Sequence, residues 1–138
     1  MSVWLADTGP LVAVLINGDS FHDWAAMCIK DAPATVLTCE AVVSEALFLL
    51  KRDGHDPDAF FALIEAGFVR VDFSIHDEHK NVRQLMQRYR NRPMSFADAC
   101  LVRMAEMQRG DCCIWTLDRD FSIYRKNRNE TLSLVAPW

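Results

Sequence analysis

Five acidic side chains stand out as capable of chemistry: Asp7, Glu45, Asp98, Asp118 and Asp120. Asp7 directly follows the apolar run Val3–Ala6, and Asp118 directly follows the apolar run at residues 112–117. Runs this short and this apolar read as buried strands. In an open parallel sheet, sites form beyond the carboxyl ends of the strands. If these two strands are neighbours, about 4.8 Å apart, both carboxylates emerge on one rim. Glu45 falls in a helical stretch at residues 39–52, and its neighbours at three and four positions are Ala41, Val42, Phe48 and Leu49. The expectation is a carboxylate on the core-facing stripe, which is costly unless it is paired or coordinates a cation. Glu40, by contrast, sits in the first turn, where an acid favours the helix dipole and has a structural task. Asp98 lies near a helix start, and Ser95 to Asp98 also has the spacing of a capping box. Asp118 and Asp120 can each cap the short helix after them. The expectation is Asp118 as an inner ligand and Asp120 as a supporting group or the ligand of a second ion.

Carboxylates crowded together repel one another and shift towards protonation. A divalent cation removes that repulsion. Ligation by oxygen alone suits Mg²⁺ or Mn²⁺ rather than zinc. Mg²⁺ also keeps several of its waters, one of which can become a nucleophile.

The elements that must position these acids follow from periodicity and punctuation. Strands are expected at residues 3–6, 35–38, 68–73, 112–117 and 131–135. Helices are expected at 10–16, from 19 or 20 to 30, 39–52, 56–66, 76–90, about 95–110 and 118–124. Strands that alternate with helices imply an α/β sandwich with a mostly parallel sheet. At 138 residues, with no linker or repeat, the chain is expected to form a single domain spanning 1–138. The longest apolar run, residues 11–16, is far short of the ~20 needed to span a bilayer. The opening residues lack a basic n-region. The five cysteines include no C-x-x-C pair, so reduced thiols in the cytoplasm are expected rather than a zinc ribbon or a redox motif. Neither a Gly-x-Gly-x-x-Gly loop nor a Walker sequence is present, so no nucleotide cofactor is expected.

Charge is divided along the chain. The formal net charge of -4 combines -9 over residues 1–79 with +6 over residues 80–128 and one further acid, Glu130. Lys80, Arg83, Arg88, Arg90 and Arg92 form one basic group. Arg119, Arg125, Lys126 and Arg128 form another. Such groups can make the footprint for a polyanion, while the overall acidity argues against indiscriminate binding to duplexes.

Four segments together resemble the PIN domain family: Leu5-Ala6-Asp7-Thr8-Gly9-Pro10, Ser44-Glu45, Phe96-Ala97-Asp98-Ala99-Cys100-Leu101 and Thr116-Leu117-Asp118-Arg119-Asp120-Phe121. Within that family they are most similar to the VapC-type toxin nucleases of bacteria and archaea. The resemblance implies a three-layer α/β sandwich with a five-stranded, mostly parallel sheet flanked by helices. It implies a Mg²⁺- or Mn²⁺-dependent ribonuclease whose acidic quartet is Asp7, Glu45, Asp98 and Asp118, leaving 5′-phosphate and 3′-hydroxyl ends. Thr116 matches a supporting hydroxyl, and Asp120 a further acid. Cys100 departs from the small or aliphatic residue common at that place. RNA is the implied substrate, gripped by Lys80, Arg83, Arg88, Arg90, Arg92, Arg119 and Arg125. A homodimer and a neighbouring antitoxin are the implied protein partners.

Other readings compete. Asp7-Thr8-Gly9 is the tripeptide of aspartic proteases, but those need a β-rich chain. A receiver or a haloacid-dehalogenase-like phosphatase would use Asp7 as nucleophile. The receiver needs a late strand-end lysine where Asp118 stands, and the phosphatase an acid where Gly9 stands. A PIN-like module that binds without catalysis is the remaining alternative.

Overall fold

A computed structural model describes residues 2–138. The chain runs β1 (Val3–Ala6), α1 (Thr8–Leu15), α2 (His22–Asp31), β2 (Val36–Thr38), α3 (Glu40–Arg52), α4 (Asp58–Glu65), β3 (Val69–Val71), α5 (Ile75–Arg88), α6 (Phe96–Met107) and β4 (Cys112–Trp115). One turn of 3-10 helix (Arg119–Ser122) follows, then β5 (Arg125–Lys126), β6 (Glu130–Thr131) and β7 (Leu134–Val135). Five strands form one parallel sheet in the order β3-β2-β1-β4-β7. This is the expected fold class, an α/β sheet flanked by helices. No helix among the described residues is long and apolar enough to cross a membrane.

The strand order positions the site. From β1 the chain winds outward through β2 to β3, then returns to place β4 on the other side of β1. The reversal puts a topological switch point between the carboxyl ends of β1 and β4, the kind of place where such sheets bind ligands. Register fixes the rim, because Ala6 pairs with Trp115, so the next residues, Asp7 and Thr116, start side by side. Both strands are central and apolar, with Leu5, Ala6, Ile114 and Trp115 buried, as expected of strands covered on both faces. α6 is buried along most of its length, from Ala97 to Val102 and at Met104 and Ala105. Asp98 is therefore carried into the interior by its neighbours.

Several boundaries differ from expectation, each for a local reason. α1 starts at Thr8, not Pro10, because Asp7 accepts the Thr8 N–H and caps the helix. Pro10 still falls among the first residues, whose N–H groups have no intrahelical partner. α2 starts at His22; Asp19 instead accepts the Phe21 N–H at 2.8 Å in the preceding turn. The expected strand at residues 131–135 is divided. Asn127 and Arg128 have φ of 48° and 73°, which reverses the chain so that Thr131 pairs locally with Arg125, and only β7 joins the sheet. Glu45 is a correction of environment: the buried residues of α3 are Val42, Ala46 and Leu50, and Glu45 is exposed. The core-facing stripe runs one position away from it, so no burial cost attaches to its charge.

Gly9 is where α1 meets the loop after β4. A β-carbon there would lie 3.0–3.2 Å from three atoms of the Leu117 side chain. Gly9→Ala gains helix propensity of up to about 1 kcal/mol but overpacks against Leu117, which costs about 1–3 kcal/mol. The expected outcome is a net loss of about 1 kcal/mol in urea unfolding; a raised midpoint would contradict it.

Candidate active site

The acids are held by a chain of hydrogen bonds across the carboxyl ends of β1 and β4. The Asp7 N–H donates to the Trp115 carbonyl at 2.9 Å, extending the sheet by one residue. Its side chain accepts twice, from the Thr8 N–H at 2.8 Å on Oδ1 and from the Thr116 hydroxyl at 2.7 Å on Oδ2. Thr116 is fully buried, and its hydroxyl oxygen accepts the Asp118 N–H at 2.9 Å. One hydroxyl thus fixes the Asp7 carboxylate relative to the backbone of Asp118. Asp118 Oδ1 in turn accepts the Asp120 N–H at 2.9 Å and caps the 3-10 helix. Asp98 arrives from α6: Ser95 and Asp98 form the expected capping box, with the Ser95 N–H 3.2 Å from Asp98 Oδ2. Glu45 joins from α3, its Oε2 accepting the Thr8 hydroxyl at 2.8 Å. Thr8 therefore links Glu45 to the helix that Asp7 caps.

Burial, and after it the charge of Asp118, set the electrostatics of Asp7 and Asp98. Asp7 is 7% exposed. Burial pushes its carboxyl up to about 7, two hydrogen bonds pull the other way, and the charges of Asp98 and Asp118 push it up further. Asp98 is pushed up to about 6, first by burial and then, against its hydrogen bond from the Ser95 N–H, by Asp118. Asp120 is raised by desolvation and by Asp118, while Arg92 opposes the shift.

Tyr124 and Thr8 are hydrogen-bond partners of the acids that residue types and spacing do not expose. The Tyr124 ring is fully buried, and its hydroxyl donates to Asp98 Oδ2 at 3.2 Å. It is clamped edge-on by Tyr89 and Phe121, with ring centroids 5.1 and 5.4 Å away. A buried tyrosine hydroxyl needs a partner, but nothing in the chain order says that the partner is a carboxylate 26 residues earlier. Among the expected basic residues, Lys80, Arg83, Arg88, Arg90, Arg92 and Arg119 are exposed. The Arg92 charge acts on Asp120. Arg119 stacks on Trp138, 4.9 Å from the ring centroid. Arg125 has a structural task, donating to the carbonyls of Ser122, Ile123 and Tyr124.

Among the described residues, no three carboxylate, imidazole or thiol groups form a ready-made metal cage. The donors nevertheless fit a hard cation. Asp98 and Asp118 each have one carboxylate oxygen fixed by hydrogen bonds, Oδ2 and Oδ1 respectively. The other oxygen of each is neither hydrogen-bonded nor sealed from solvent. Asp7, raised by burial and then by its two acidic neighbours, is a carboxylate that a cation would relieve.

Two measurements check this geometry. Because Asp7 is raised when folded, its contribution to stability is complete below the unfolded value of 3.8 and is lost as pH rises through about 7. In metal-free buffer the protein is expected to lose roughly 2–3 kcal/mol between pH 5 and pH 8 through this group, and Asp7→Asn to lose correspondingly less. Equal losses in both proteins would contradict the assignment. Tyr124→Phe keeps the ring but removes a donor that favours the Asp98 anion. Carboxyl NMR should find Asp98 titrating roughly half to one pH unit higher; an unmoved titration would count against the contact.

Comparison with known proteins gives the family. The model of the PIN domain family matches residues 5–127. The crystal structure of VapC20 of Mycobacterium tuberculosis, described as a sarcin–ricin-loop-cleaving toxin, is similar to the chain with a TM-score of 0.74 and 26% identity. The match covers 87% of this chain and 93% of that one. A search of curated protein sequences returns no significant match. With the family model spanning all the acids, their strands and the helices that carry them, the chain belongs to the PIN domain family.

Proposed function

We propose that the protein is a Mg²⁺- or Mn²⁺-dependent endoribonuclease and the toxin of a type II toxin–antitoxin pair. The observation that carries this reading is the group of three aspartates where β1 and β4 end, two of them buried and driven towards protonation first by burial and then by neighbouring aspartates. An ordinary structural acid gains nothing from such a place. The family membership supports a nuclease, and the likeness to VapC20 supports a toxin acting on RNA.

In this mechanism Asp7, Asp98 and Asp118 hold the cation. When bound, the ion neutralises charge on the scissile phosphate and makes an attacking water more acidic. Thr116 keeps Asp7 and Asp118 in register, and Tyr124 and the Ser95 N–H keep one Asp98 oxygen turned inward. Glu45, exposed and steadied by Thr8, orients or deprotonates the attacking water. Asp120 supports Asp118 or serves a second ion. Attack in line with the leaving 3′ oxygen yields 5′-phosphate and 3′-hydroxyl ends. Lys80, Arg83, Arg88, Arg90, Arg92 and Arg119 bind the RNA backbone by charge. Single-stranded or loop RNA is favoured because its bases can be splayed into a site.

The protein partners belong to the same proposal: a second copy of this chain, an antitoxin that covers the acids, and a cytoplasmic setting. On α3, Phe48 is 66% exposed beside Glu45 and lines a recess of about 470 Å³ with Ser44 and Leu49. An aromatic side chain left in water next to the acids supports a protein surface docking there.

Incubation of the purified protein with mixed RNA and Mn²⁺ tests the reading. Cleavage is expected with Mn²⁺ and not with excess chelator. Asp7→Asn and Asp98→Asn should each lower it at least ~100-fold while retaining a folded circular-dichroism spectrum. Undiminished cleavage by both variants would reject the site; no cleavage by the wild-type protein, with no uptake of Mn²⁺, would leave a catalytically silent module.

A further inference from the structure

The two basic groups, separate in sequence, meet in space. Arg88 and Arg90 from the end of α5 and Arg128 from the β5–β6 hairpin line one groove with Gln84, Gln87 and Asn91. Its volume is about 720 Å³, and no acidic residue lines it. None of the three arginines belongs to an ion pair among the described residues, whereas Arg52, Arg70 and Arg103 do. Three guanidinium groups concentrated without counter-charge repel one another, and an external anion relieves that repulsion.

The hairpin that brings Arg128 here is held firmly and at a cost. The Tyr89 hydroxyl accepts the Arg125 N–H at 2.8 Å, and Glu106 accepts the Asn127 N–H at 2.7 Å. Asn127 and Arg128 then adopt left-handed backbone. Asparagine tolerates that region; arginine does so poorly, and glycine is the comfortable residue there. Strain of this kind persists where the surroundings over-determine it and commonly marks a functional position. Here it aims a long cation into the groove. The groove also adjoins the acids: Tyr89, between Arg88 and Arg90, packs edge-on against Tyr124, 5.1 Å between ring centroids, and the Tyr124 hydroxyl donates to Asp98.

We propose that the groove between the end of α5 and the β5–β6 hairpin is a second RNA-backbone site. In it, Arg88, Arg90 and Arg128 take phosphates of a single-stranded segment whose scissile bond lies at the acids. The inference rests on the ribonuclease reading and adds a location to it. The amides of Gln84, Gln87 and Asn91 offer both donors and acceptors, which suits exposed base edges and sugar hydroxyls of a single strand. Guanidinium groups match phosphate oxygens two at a time.

The test uses a fluorescein-labelled 15-nucleotide oligouridylate, with anisotropy read in chelator across a KCl series. Arg88→Gln/Arg90→Gln/Arg128→Gln should weaken binding at least ~10-fold at 100 mM KCl. It should also flatten the slope of log affinity against log salt by about 2, as expected for three lost phosphate contacts on a single strand. A charge-matched control, Lys30→Gln/Lys51→Gln/Arg109→Gln, should change affinity less than about twofold. In Mn²⁺, cleavage of the same RNA by the groove variant should show a raised KM with kcat retained within about threefold. Arg128→Gly separates strain from binding: its thermal midpoint should hold or rise while affinity falls, and Arg128→Lys should keep most of the affinity. Equal weakening by the groove and control variants, or an unchanged KM in the groove variant beside normal wild-type cleavage, would overturn the groove and leave the ribonuclease reading standing. A wild-type protein that neither binds nor cleaves RNA would remove both.

Discussion

A carboxylate buried where two central strands end is the constraint around which this molecule is arranged. Asp7 is tied to β4 through the Trp115 carbonyl and the Thr116 hydroxyl, and it caps α1 with its other oxygen. Those bonds hold an anion in a place where both desolvation and the charges of Asp98 and Asp118 oppose it. In a chain selected for stability alone, a neutral cap such as serine would serve α1 without that penalty. In the proposed function a cation held there would offset that penalty, and the same hydrogen bonds would orient its donors beforehand.

The fold follows from the same place. Asp7 can meet Asp118 only if β1 and β4 are adjacent and parallel, which requires the chain to return past β1 after β3. Asp98 can meet both only if α6 is buried deeply enough to carry its first turn inward, and the run of small and apolar residues from Ala97 to Val102 achieves this. Tyr124 completes the arrangement from the opposite direction. Its hydroxyl reaches Asp98 because the 3-10 turn after Asp118 folds Phe121 and Tyr124 back into the core.

Much of this was legible in the chain itself. Val3–Ala6 followed by Asp7, and the run at 112–117 followed by Asp118, each show a strand ending in an acid, and a parallel sheet puts such acids on one rim. Ser95 and Asp98 announced a helix start that the structure contains as a complete capping box. Glu45 shows the limit of periodicity. Its apolar neighbours suggested a core-facing stripe, but the buried line of α3 passes through Val42, Ala46 and Leu50, because packing picks one of several apolar faces on a helix rich in Leu and Val. The β5–β6 hairpin was unreadable for a different reason. It depends on a left-handed Arg128, which residue preferences argue against, and on tertiary ties from Tyr89 and Glu106 that no local pattern displays. The partnership of Tyr124 with Asp98, and of Arg128 with Arg88 and Arg90, exists only in three dimensions.

Calorimetric titration with Mn²⁺ at pH 6.5, repeated in buffers of different ionisation enthalpy, reads whether these buried carboxyls exchange protons for a cation. Carboxyls raised to about 7 and about 6 are partly protonated at that pH and must give up their protons to a cation. Uptake of Mn²⁺ accompanied by release of about one proton per ion is expected. Absence of specific uptake, or uptake with no proton released, would contradict that exchange.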